Sequence, residues 1–494
     1  MHRELLVEGD PHQTRLAVLE AGRLVEFFVE RHRGRGLVGN IYKGRVRRVL
    51  PGMRAAFVDL GLTRDGYLYL EEMAGDERGA PGGDGRRVSL DLPRRGREIV
   101  VQIAREGLED KGPRVTTEIT LPGRYLVLTP LAGRLGISRR IEDPDERARL
   151  KAVVLELWGD GLEAPGCIVR TAAAGAPAED LGREYAVLAD LWREIGERAA
   201  ATAAPALVHQ EEELAVRVIR DHFGEDFGAL LVDGADAHRV IREYIGRVQP
   251  ELLTRLERSR RGLFDRYRID VGVEAALEPR APLPSGGHLV INQTEALVAI
   301  DVNSGRDVGA GAVGGEGSFR DTVLRTNLEA VAEAVRQIRL RDLSGILVID
   351  LIDMEREEDR RAVFARLEAE LRKDRARKRV LEISEFGLVQ LTRQRRRENL
   401  ERALMGPCPT CRGRGRIKTI ATICLELRRT CLARAGRGCR QLAVQVHPEV
   451  LDGLNGSESD VLDGMQGAFD VPILIRADPD LHREHFVVTE IEGP

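Results

Sequence analysis

The sequence has 494 residues, a length that excludes one ordinary domain and predicts two to four. Its apolar runs are far shorter than the roughly 20 residues of a membrane span, and residues 1–8 lack an apolar signal region. We therefore expect a soluble, cytoplasmic protein with no membrane partner. The six cysteines are too few for a disulfide framework and fit free thiols or a metal site better.

The net charge of −4 predicts no polyanion partner, but the basic residues are clustered. Arginine-dense tracts occur at residues 255–268, 372–379, 393–397, 412–418 and 428–440. Any single tract is typical of a solvated helix face. Several tracts together favour contacts with a nucleic-acid backbone.

The first 35 residues contain three strand-like runs, at 5–7, 16–19 and 24–29, which are too few to fold alone. Short strands with glycine punctuation follow at 39–46, 55–61 and 66–70 and predict a small barrel. Barrels of the oligonucleotide-binding type stack bases on exposed aromatics beside basic residues. Phe57, Tyr67 and Lys43 are candidates for these roles, although a single aromatic in a barrel is more often buried.

Residues 39–70, from Gly-Asn-Ile-Tyr-Lys-Gly-Arg-Val to Asp-Gly-Tyr-Leu, resemble the S1 RNA-binding domain of the ribonuclease E/G family. The resemblance implies an S1 barrel over residues 37–119 and RNA contacts by Phe57, Tyr67, Lys43 and Lys111. The loop at residues 75–96, rich in Gly, Arg and Asp, is predicted to be a mobile insertion in this barrel.

Residues 120–216 mix strands at 125–128 and 167–170 with helices at 146–158 and 178–201. Residues 136–141 (Gly-Ile-Ser-Arg-Arg-Ile) and 168–172 (Ile-Val-Arg-Thr-Ala) resemble the family's sensor for RNA with a 5′-monophosphate. An arginine beside a threonine offers a forked cation and a hydroxyl to a terminal phosphate. Without the resemblance Arg170 is a surface arginine. The sensor residues that the resemblance implies are Arg170, Thr171, Arg139, Gly123 and Val127.

Residues 217–279 include the apolar runs 216–220 and 229–233 and a helix at 237–248. We expect the N-terminal strands to pair here. The family has such a split subdomain, similar to ribonuclease H but without catalytic work, so Asp221, Asp226 and Asp233 are interpreted as structural.

Two strand-like stretches, 297–305 and 345–353, each contain a short apolar run rich in β-branched residues that stops at an aspartate. Residues 322–341 between them have the period of an amphipathic helix. A strand, a crossover helix and a second strand predict parallel pairing, with Asp301 and Asp350 at one edge. Such a carboxylate pair suits Mg²⁺, which binds one or two carboxylates, waters and substrate phosphate. The alternative is that both aspartates only end their strands.

Four blocks in this segment closely resemble the ribonuclease E/G signature: residues 294–305, 326–330, 339–343 and 349–354. The resemblance implies a deoxyribonuclease I-like fold in which Asp301 and Asp350 hold one Mg²⁺ and Asn303 aids positioning. The sequence departs from the family in a long glycine-rich loop at 307–318 and in Arg320-Asp321.

Cys408 and Cys411 form a knuckle, Cys-Pro-Thr-Cys-Arg-Gly-Arg-Gly, which supplies two of the four ligands of a structural Zn²⁺. Cys424, Cys431 and Cys439 have poor ligand spacing, so a second copy of the chain could supply the other pair. The resemblance implies one Zn²⁺ shared across a homodimer, with pairing of dimers into tetramers left open. The alternative is a pair of free thiols.

The resulting hypothesis is a Mg²⁺-dependent endoribonuclease that cuts single-stranded RNA, favours 5′-monophosphorylated ends and leaves 5′-phosphate and 3′-hydroxyl products. Its substrates would be ribosomal RNA precursors and messenger RNA, and the chain is most similar to the compact ribonuclease G branch. The rival hypotheses are a non-catalytic S1-type RNA-binding or ribosome-associated scaffold and a metal-dependent phosphatase.

The predicted fold class is a multidomain α/β protein. The predicted domains are a split ribonuclease H-like subdomain (1–36 with 217–279), an S1 barrel (37–119), a 5′-end sensor subdomain (120–216), a catalytic subdomain (280–400), a zinc link (401–415) and a small assembly domain (416–494).

Overall fold

A computed structural model describes residues 3–33, 36–69, 94–107, 112–158, 165–305, 316–395, 397–435, 439–468 and 472–492. The chain divides into two units, residues 1–403 and residues 404–494.

The strands of the described residues fall into five sheets. In chain order they are β1 (Arg3–Gly9), β2 (Gln13–Glu20), β3 (Arg23–Arg31), β4 (Ile41–Leu50), β5 (Ala55–Asp59), β6 (Gly66–Tyr69), β7 (Glu98–Arg105), β8 (Arg114–Thr116), β9 (Leu121–Pro122), β10 (Leu126–Thr129), β11 (Leu135–Ile137), β12 (Gly166–Val169), β13 (Ala206–His209), β14 (Ala229–Asp233), β15 (Leu256–Arg258), β16 (Arg280–Pro282), β17 (His288–Gln293), β18 (Leu297–Asn303), β19 (Gly345–Asp350), β20 (Lys378–Val380), β21 (Leu388–Arg393), β22 (Cys439–Val446), β23 (Ile473–Ala477) and β24 (Phe486–Glu492).

The α-helices flank these sheets. They are α1 (Pro144–Trp158), α2 (Ala178–Ala201), α3 (Leu214–His222), α4 (Ala235–Val248), α5 (Leu263–Arg266), α6 (Ile269–Leu277), α7 (Glu316–Leu340), α8 (Glu357–Leu371), α9 (Leu400–Leu404), α10 (Ile420–Arg434), α11 (Pro448–Asn455) and α12 (Ser459–Ala468). Among the described residues, no helix is both long and apolar enough to span a bilayer.

The N-terminal strands belong to a sheet of order β15-β14-β1-β2-β3, in which β1 runs parallel to β14. The partner that the N-terminal strands lacked is therefore β14, as expected. The run at 216–220 is helical rather than extended, because it lies in α3, whose apolar positions Ala215, Val218 and Ile219 pack into the core of this sheet. Helical spacing outweighs the β-branched composition of the run.

Strands β4, β5, β6, β8 and β7 pair in a ring that closes through β4 and β7, so the chain contains a closed five-stranded barrel. Gly44 lies inside this ring, where an added Cβ would be 2.5 Å from Val58 Cγ1. A side chain there would force β4 and β5 apart. Strand β13 extends the barrel sheet along β4, although its residues lie in the segment 120–216.

The sheet that carries the aspartates has the order β16-β17-β18-β19-β21-β20. Helix α7 connects β18 to the parallel strand β19, which confirms the predicted crossover. The core of this segment packs apolar residues of the strands against α7 and α8, among them Ile300, Val331 and Val363. The sequence pattern does not predict α8. It predicts a last barrel strand near residues 114–119, of which β8 covers three residues.

The second unit, residues 404–494, is a sheet of order β23-β22-β24 with its own core from α10, α11 and α12. The sequence pattern predicts a helix at 418–435 and strands at 442–446 and 471–476, and α10, β22 and β23 confirm these elements. It does not predict α11, α12 or β24.

Buried charged residues connect the first sheet to α7. The Arg339 guanidinium, 3% exposed, donates to Glu20 Oε1 at 2.8 Å and to Glu26 Oε1 at 2.8 Å. The His222 ring lies 3.4 Å from Glu26 and packs edge-on against Phe28. Burial opposes ionisation of Glu26, but His222 and Arg339 outweigh it and lower the pKa of Glu26 to about 2. Burial lowers the pKa of His222 to about 4.

Acid should destabilise the first unit through His222. Its pKa of about 4 in the folded chain lies below the ordinary 6.5, so the unfolded chain takes up the proton first as the pH falls. The free energy of unfolding should drop between about pH 6.5 and pH 4, by roughly 2 kcal/mol at pH 5. His222→Asn should remove this loss in urea melts at pH 7 and pH 5, whereas His12→Asn, at an exposed site, should not. Equal pH dependence in wild type and His222→Asn would contradict the buried neutral imidazole. The ionised Glu26 carboxylate also stabilises the folded chain, but this contribution to the free energy of unfolding is lost only as the pH falls below about 4.5.

Candidate active site and nucleic-acid interface

The two predicted aspartates face each other across neighbouring strands. In the parallel pairing of β18 with β19, Asp301 is the register partner of Asp350, and both side chains are exposed at the strand ends. Register partners on adjacent strands lie about 5 Å apart and project to the same side of the sheet. The predicted adjacency is confirmed, while the role of the two carboxylates as metal ligands stays a prediction.

Negative charge accumulates at this edge. Partial burial and the nearby carboxylates of Asp301 and Asp353 raise the pKa of Asp350. Within the described part of the chain, neither Asp301 nor Asp350 has an ion-pair partner. Asn303 Nδ2 donates to Asp301 Oδ2 at 2.8 Å and so orients that carboxylate. The edge therefore presents carboxylate oxygens that a bound cation would stabilise.

The donor set fits a hard divalent cation. Mg²⁺ prefers oxygen ligands and keeps several positions for water or substrate phosphate, which two carboxylates leave open. The described residues contain no group of three or more His, Cys, Asp or Glu side chains able to hold a metal by themselves. A cation at this edge would thus need oxygens from outside the pair, as a phosphodiester substrate supplies.

Helix α7 supports the segment that follows Asp350. The fully buried Asn327 donates from Nδ2 to the Ile352 carbonyl at 2.8 Å and accepts from the Ile352 amide at 3.1 Å. This pair of hydrogen bonds fixes residues 351–353, including Asp353. Both residues lie in the motif blocks 326–330 and 349–354, but their roles could not be predicted, because a buried amide that binds backbone has no local sequence signal.

The structure gives Arg320 of α7 a structural role. Arg320 makes a bidentate ion pair with Asp359, at 2.8 Å for both hydrogen bonds, and also contacts Glu358. The arginine thus joins α7 to the start of α8. Residues 307–315 of the glycine-rich loop lie outside the described residues.

The barrel presents a row of aromatic rings on its outer surface. Phe57 and Tyr67 are register partners whose rings meet edge-on at 5.5 Å, and Tyr67 meets Tyr69 at 4.7 Å. The Arg114 guanidinium lies 4.7 Å from the centre of the Tyr69 ring. Phe57 and Tyr67 were predicted from the sequence, whereas Tyr69 and Arg114 were not. Strand alternation from Tyr67 could have predicted Tyr69.

Lys43 lies on β4 and is only 17% exposed at its side chain. Its ammonium donates to the Thr202 carbonyl at 2.9 Å and pairs with Glu98 at 3.1 Å. These contacts give Lys43 a structural role between β4, β7 and the end of α2. Lys111 lies outside the described residues.

The predicted sensor residues lie around the end of β12. Arg170 donates to the Gly123 carbonyl and pairs with Asp221 Oδ1 at 2.8 Å. Thr171 Oγ1 is 2.9 Å from Ser138 Oγ. Arg139 is exposed, and Val127 is half-buried on β10 opposite Ile168. Arg170, Thr171 and Gly123 are thus brought together. The pairing with Asp221 is a contact that sequence analysis did not predict.

Gly123 belongs to a turn whose backbone amides bind Glu184 of α2. The Glu184 carboxylate, 1% exposed, accepts the backbone amides of residues 124, 125 and 126 at 2.5, 2.7 and 2.8 Å. A Cβ on Gly123 would lie 2.5–2.8 Å from this carboxylate, so only glycine fits. Burial raises the pKa of Glu184 despite the three amide donors.

The second unit contains the cysteine knuckle. Cys408 is exposed and Cys411 half-buried, and hydrogen bonds from Cys411 and Thr410 lower the pKa of the Cys408 thiol. The turn needs positive φ at Arg412, Gly413 and Gly415. Cys424 and Cys431 are fully buried in the core of the second unit, where burial raises the pKa of each thiol to about 11. The Cys439 side chain lies outside the described part.

Comparisons with known proteins agree with this architecture. The model of the ribonuclease E/G family matches residues 120–396. Ribonuclease G of Salmonella typhimurium is 38% identical over 495 residues, which covers 99% of both chains. Ribonuclease G of Haemophilus influenzae is 40% identical over 86% of both chains. Ribonuclease E of Escherichia coli is 38% identical over 87% of this chain and 40% of its own length.

The closed barrel, the carboxylate edge and these relatives define an α/β protein of the nuclease class. The chain belongs to the ribonuclease E/G family.

Proposed function

We propose that this chain is an endoribonuclease that cleaves single-stranded RNA at Asp301 and Asp350. Membership of the family carries the activity, and the direct register pairing of the two carboxylates supports the site. The proposal includes the finer fold: an S1-type barrel, a ribonuclease H-like first sheet, a 5′-end sensor and a deoxyribonuclease I-like sheet with the active site. The proposed domains keep the boundaries predicted from the sequence.

Asp301 and Asp350 would hold Mg²⁺, with Asn303 fixing the orientation of the Asp301 carboxylate. When bound, the ion neutralises charge on the scissile phosphate and makes water a better nucleophile at neutral pH. The chain itself positions the phosphodiester at the strand edge, and Asn327 keeps the neighbouring segment 351–353 in place.

The aromatic row of the barrel supports the preference for single strands. Phe57, Tyr67 and Tyr69 present rings on which unpaired bases can stack, and Arg114 adds a cation beside them. Bases in a duplex are already stacked and paired, so they cannot use such a surface. Substrates of this kind include unpaired segments of ribosomal RNA precursors and messenger RNA.

Preference for a 5′-monophosphate would come from Arg170 and Thr171. The guanidinium can donate two hydrogen bonds to a terminal phosphate and the hydroxyl can donate a third. Asp221 occupies part of the Arg170 guanidinium, so an RNA phosphate would exchange with this carboxylate. Burial would raise the pKa of Asp221, but the positive charges of Arg220 and Arg170 outweigh burial and lower it. The Asp221 carboxylate, which competes with phosphate for Arg170, is therefore charged at neutral pH.

Cys408 and Cys411 would supply one half of a Zn²⁺ site whose other half comes from a second copy of the chain. A structural zinc needs four ligands, and the described residues of one chain bring only these two thiols together. The proposal is a homodimer, with tetramers possible by further pairing.

Asp301→Asn and Asp350→Asn should each lower the rate of cleavage of a 5′-monophosphorylated, AU-rich single strand by roughly a hundredfold or more. RNA binding should survive, because the barrel is unchanged. Cleavage is followed on gels with Mg²⁺ or EDTA and binding by fluorescence anisotropy, with Asp321→Asn, an exposed carboxylate of α7, as the matched control. Retained Mg²⁺-dependent cleavage in either mutant would remove the site assignment, and an inactive wild type would favour an RNA-binding scaffold.

Asp221→Asn should increase the preference for 5′-monophosphorylated over 5′-hydroxyl RNA by about two- to fivefold, the range expected from releasing a partly exposed ion pair. The measurement compares kcat/KM for the two RNAs. Arg170→Gln should erase the preference in either background. A reduced preference in Asp221→Asn would mean that the carboxylate orients Arg170 instead of competing with phosphate.

Removal of zinc by a chelator should halve the mass of the protein in solution, measured by light scattering, and Cys408→Ser should do the same. Elemental analysis should find half a zinc ion per chain. Thr410→Ser changes the same turn without removing a ligand and should stay dimeric. An unchanged mass after complete loss of zinc would contradict the shared site.

A further inference from the structure

The turn between β20 and β21 presents an aromatic side chain to solvent. Phe386 is 80% exposed, the highest value for any large apolar residue in the described part of the chain. Aromatic residues make up only 4% of the sequence, and the other rings discussed above lie in the barrel or in cores. An aromatic ring held in water has no role in the packing of its own subdomain.

This turn lies beside the carboxylate edge. Leu388, two residues after Phe386, is the register partner of Asp350. The Leu351 amide donates to the Gly387 carbonyl at 3.3 Å, and a Cβ on Gly387 would lie 3.2 Å from the Leu351 carbonyl and 3.6 Å from Asp353 Oδ1. At about 3.3 Å per residue, the backbone of Phe386 lies on the order of 10 Å from that of Asp350.

Hydrogen bonds hold the turn in one conformation. The Ser384 amide donates to the Leu388 carbonyl at 3.0 Å, and the Gly387 amide donates to the Ser384 carbonyl at 3.0 Å. Ser384 Oγ accepts the Leu388 amide at 3.1 Å, and Gly387 adopts φ +74°. Phe386 is therefore presented from a fixed backbone, which lowers the entropy lost when a ligand packs against its ring.

Local charge decides which part of an RNA could lie here. Glu382 and Glu385 are exposed on the same turn, and they disfavour the negative phosphates of a nucleic-acid backbone. The flat face of a base carries no net charge and stacks on an aromatic ring. We therefore expect a nucleobase to contact this turn, with the phosphates on the side of Asp301 and Asp350.

We propose that Phe386 is a stacking subsite for one nucleobase of the RNA close to the scissile phosphate. This inference rests on the proposed function and adds a binding residue to the same site. Stacking at this position holds one nucleotide of a single strand at a set distance from Asp301 and Asp350. It selects unpaired RNA at the active-site edge, independently of the barrel.

The first test replaces one base at a time by an abasic residue along a 5′-monophosphorylated single-stranded RNA with a single cleavage site. For the wild-type chain, one position near the cleaved bond should show a loss of roughly fivefold to a hundredfold in kcat/KM. Phe386→Ala should show a similar loss on the intact RNA and no additional loss at that position. Phe386→Trp should restore the wild-type pattern. Identical abasic profiles in wild type and Phe386→Ala would overturn the proposal.

Leu381→Ala is the matched control, because Leu381 is 48% exposed on the other arm of the same hairpin and has no aromatic ring. It should leave kcat/KM and the abasic profile unchanged. Light scattering on Phe386→Ala should give the wild-type mass. A lower mass would mean that Phe386 is a contact between copies of the chain, and this result would also overturn the stacking subsite.

A second readout needs no cleavage. In the Asp301→Asn background, RNAs with 2-aminopurine at successive positions should show quenching at one position, and Phe386→Ala should remove it. Quenching that depends on Phe386, together with a wild-type chain that cuts no RNA, would refute the proposed function alone. Quenching that is the same with and without the ring would refute the subsite alone.

Discussion

The parallel register of β18 with β19 is the constraint on which the candidate active site depends. It places Asp301 directly opposite Asp350, so that two negative charges lie on adjacent strands and repel one another. Strand pairing, the buried core beneath it and the crossover helix hold the two charges together against this repulsion. The raised pKa of Asp350 reflects the same repulsion together with partial burial. Because a bound cation would relieve this repulsion, the carboxylate edge favours cation binding.

Helix α7 links this edge to the rest of the first unit at three levels. Near its start, Arg320 pairs with the acidic beginning of α8. In its middle, Asn327 binds the backbone that follows Asp350. Near its end, Arg339 is buried between Glu20 and Glu26 of the first sheet. One helix therefore fixes the carboxylate edge relative to the N-terminal strands, because a buried guanidinium without its partners would be costly.

The proposed RNA contacts divide according to charge. The aromatic row of the barrel and Phe386 offer uncharged faces to bases, and Arg170 offers a fork to a terminal phosphate. Arg170 is shared with Asp221, which in turn adjoins the buried Arg220 and His222. Phosphate binding at Arg170 would thus act on a guanidinium that Asp221 connects to the buried charged residues next to α7. The ammonium of Lys43, a candidate from the sequence, is bound by Glu98 and the Thr202 carbonyl, and its contact with RNA stays a prediction.

Local sequence was sufficient for the features that depend on near neighbours. The apolar runs ending in Asp301 and Asp350, the helical period between them, the glycine-punctuated barrel strands and the cysteine knuckle all follow from spacing, and the motif blocks identified the family. Tertiary structure decided what depends on distant residues: the pairing of β1 with β14, the helical state of the run at 216–220, the carboxylate of Glu184 beneath Gly123, the partner of Arg170 and the exposure of Phe386. A local pattern records how a segment divides between core and solvent, but it does not record which segment, tens or hundreds of residues away, supplies the contact.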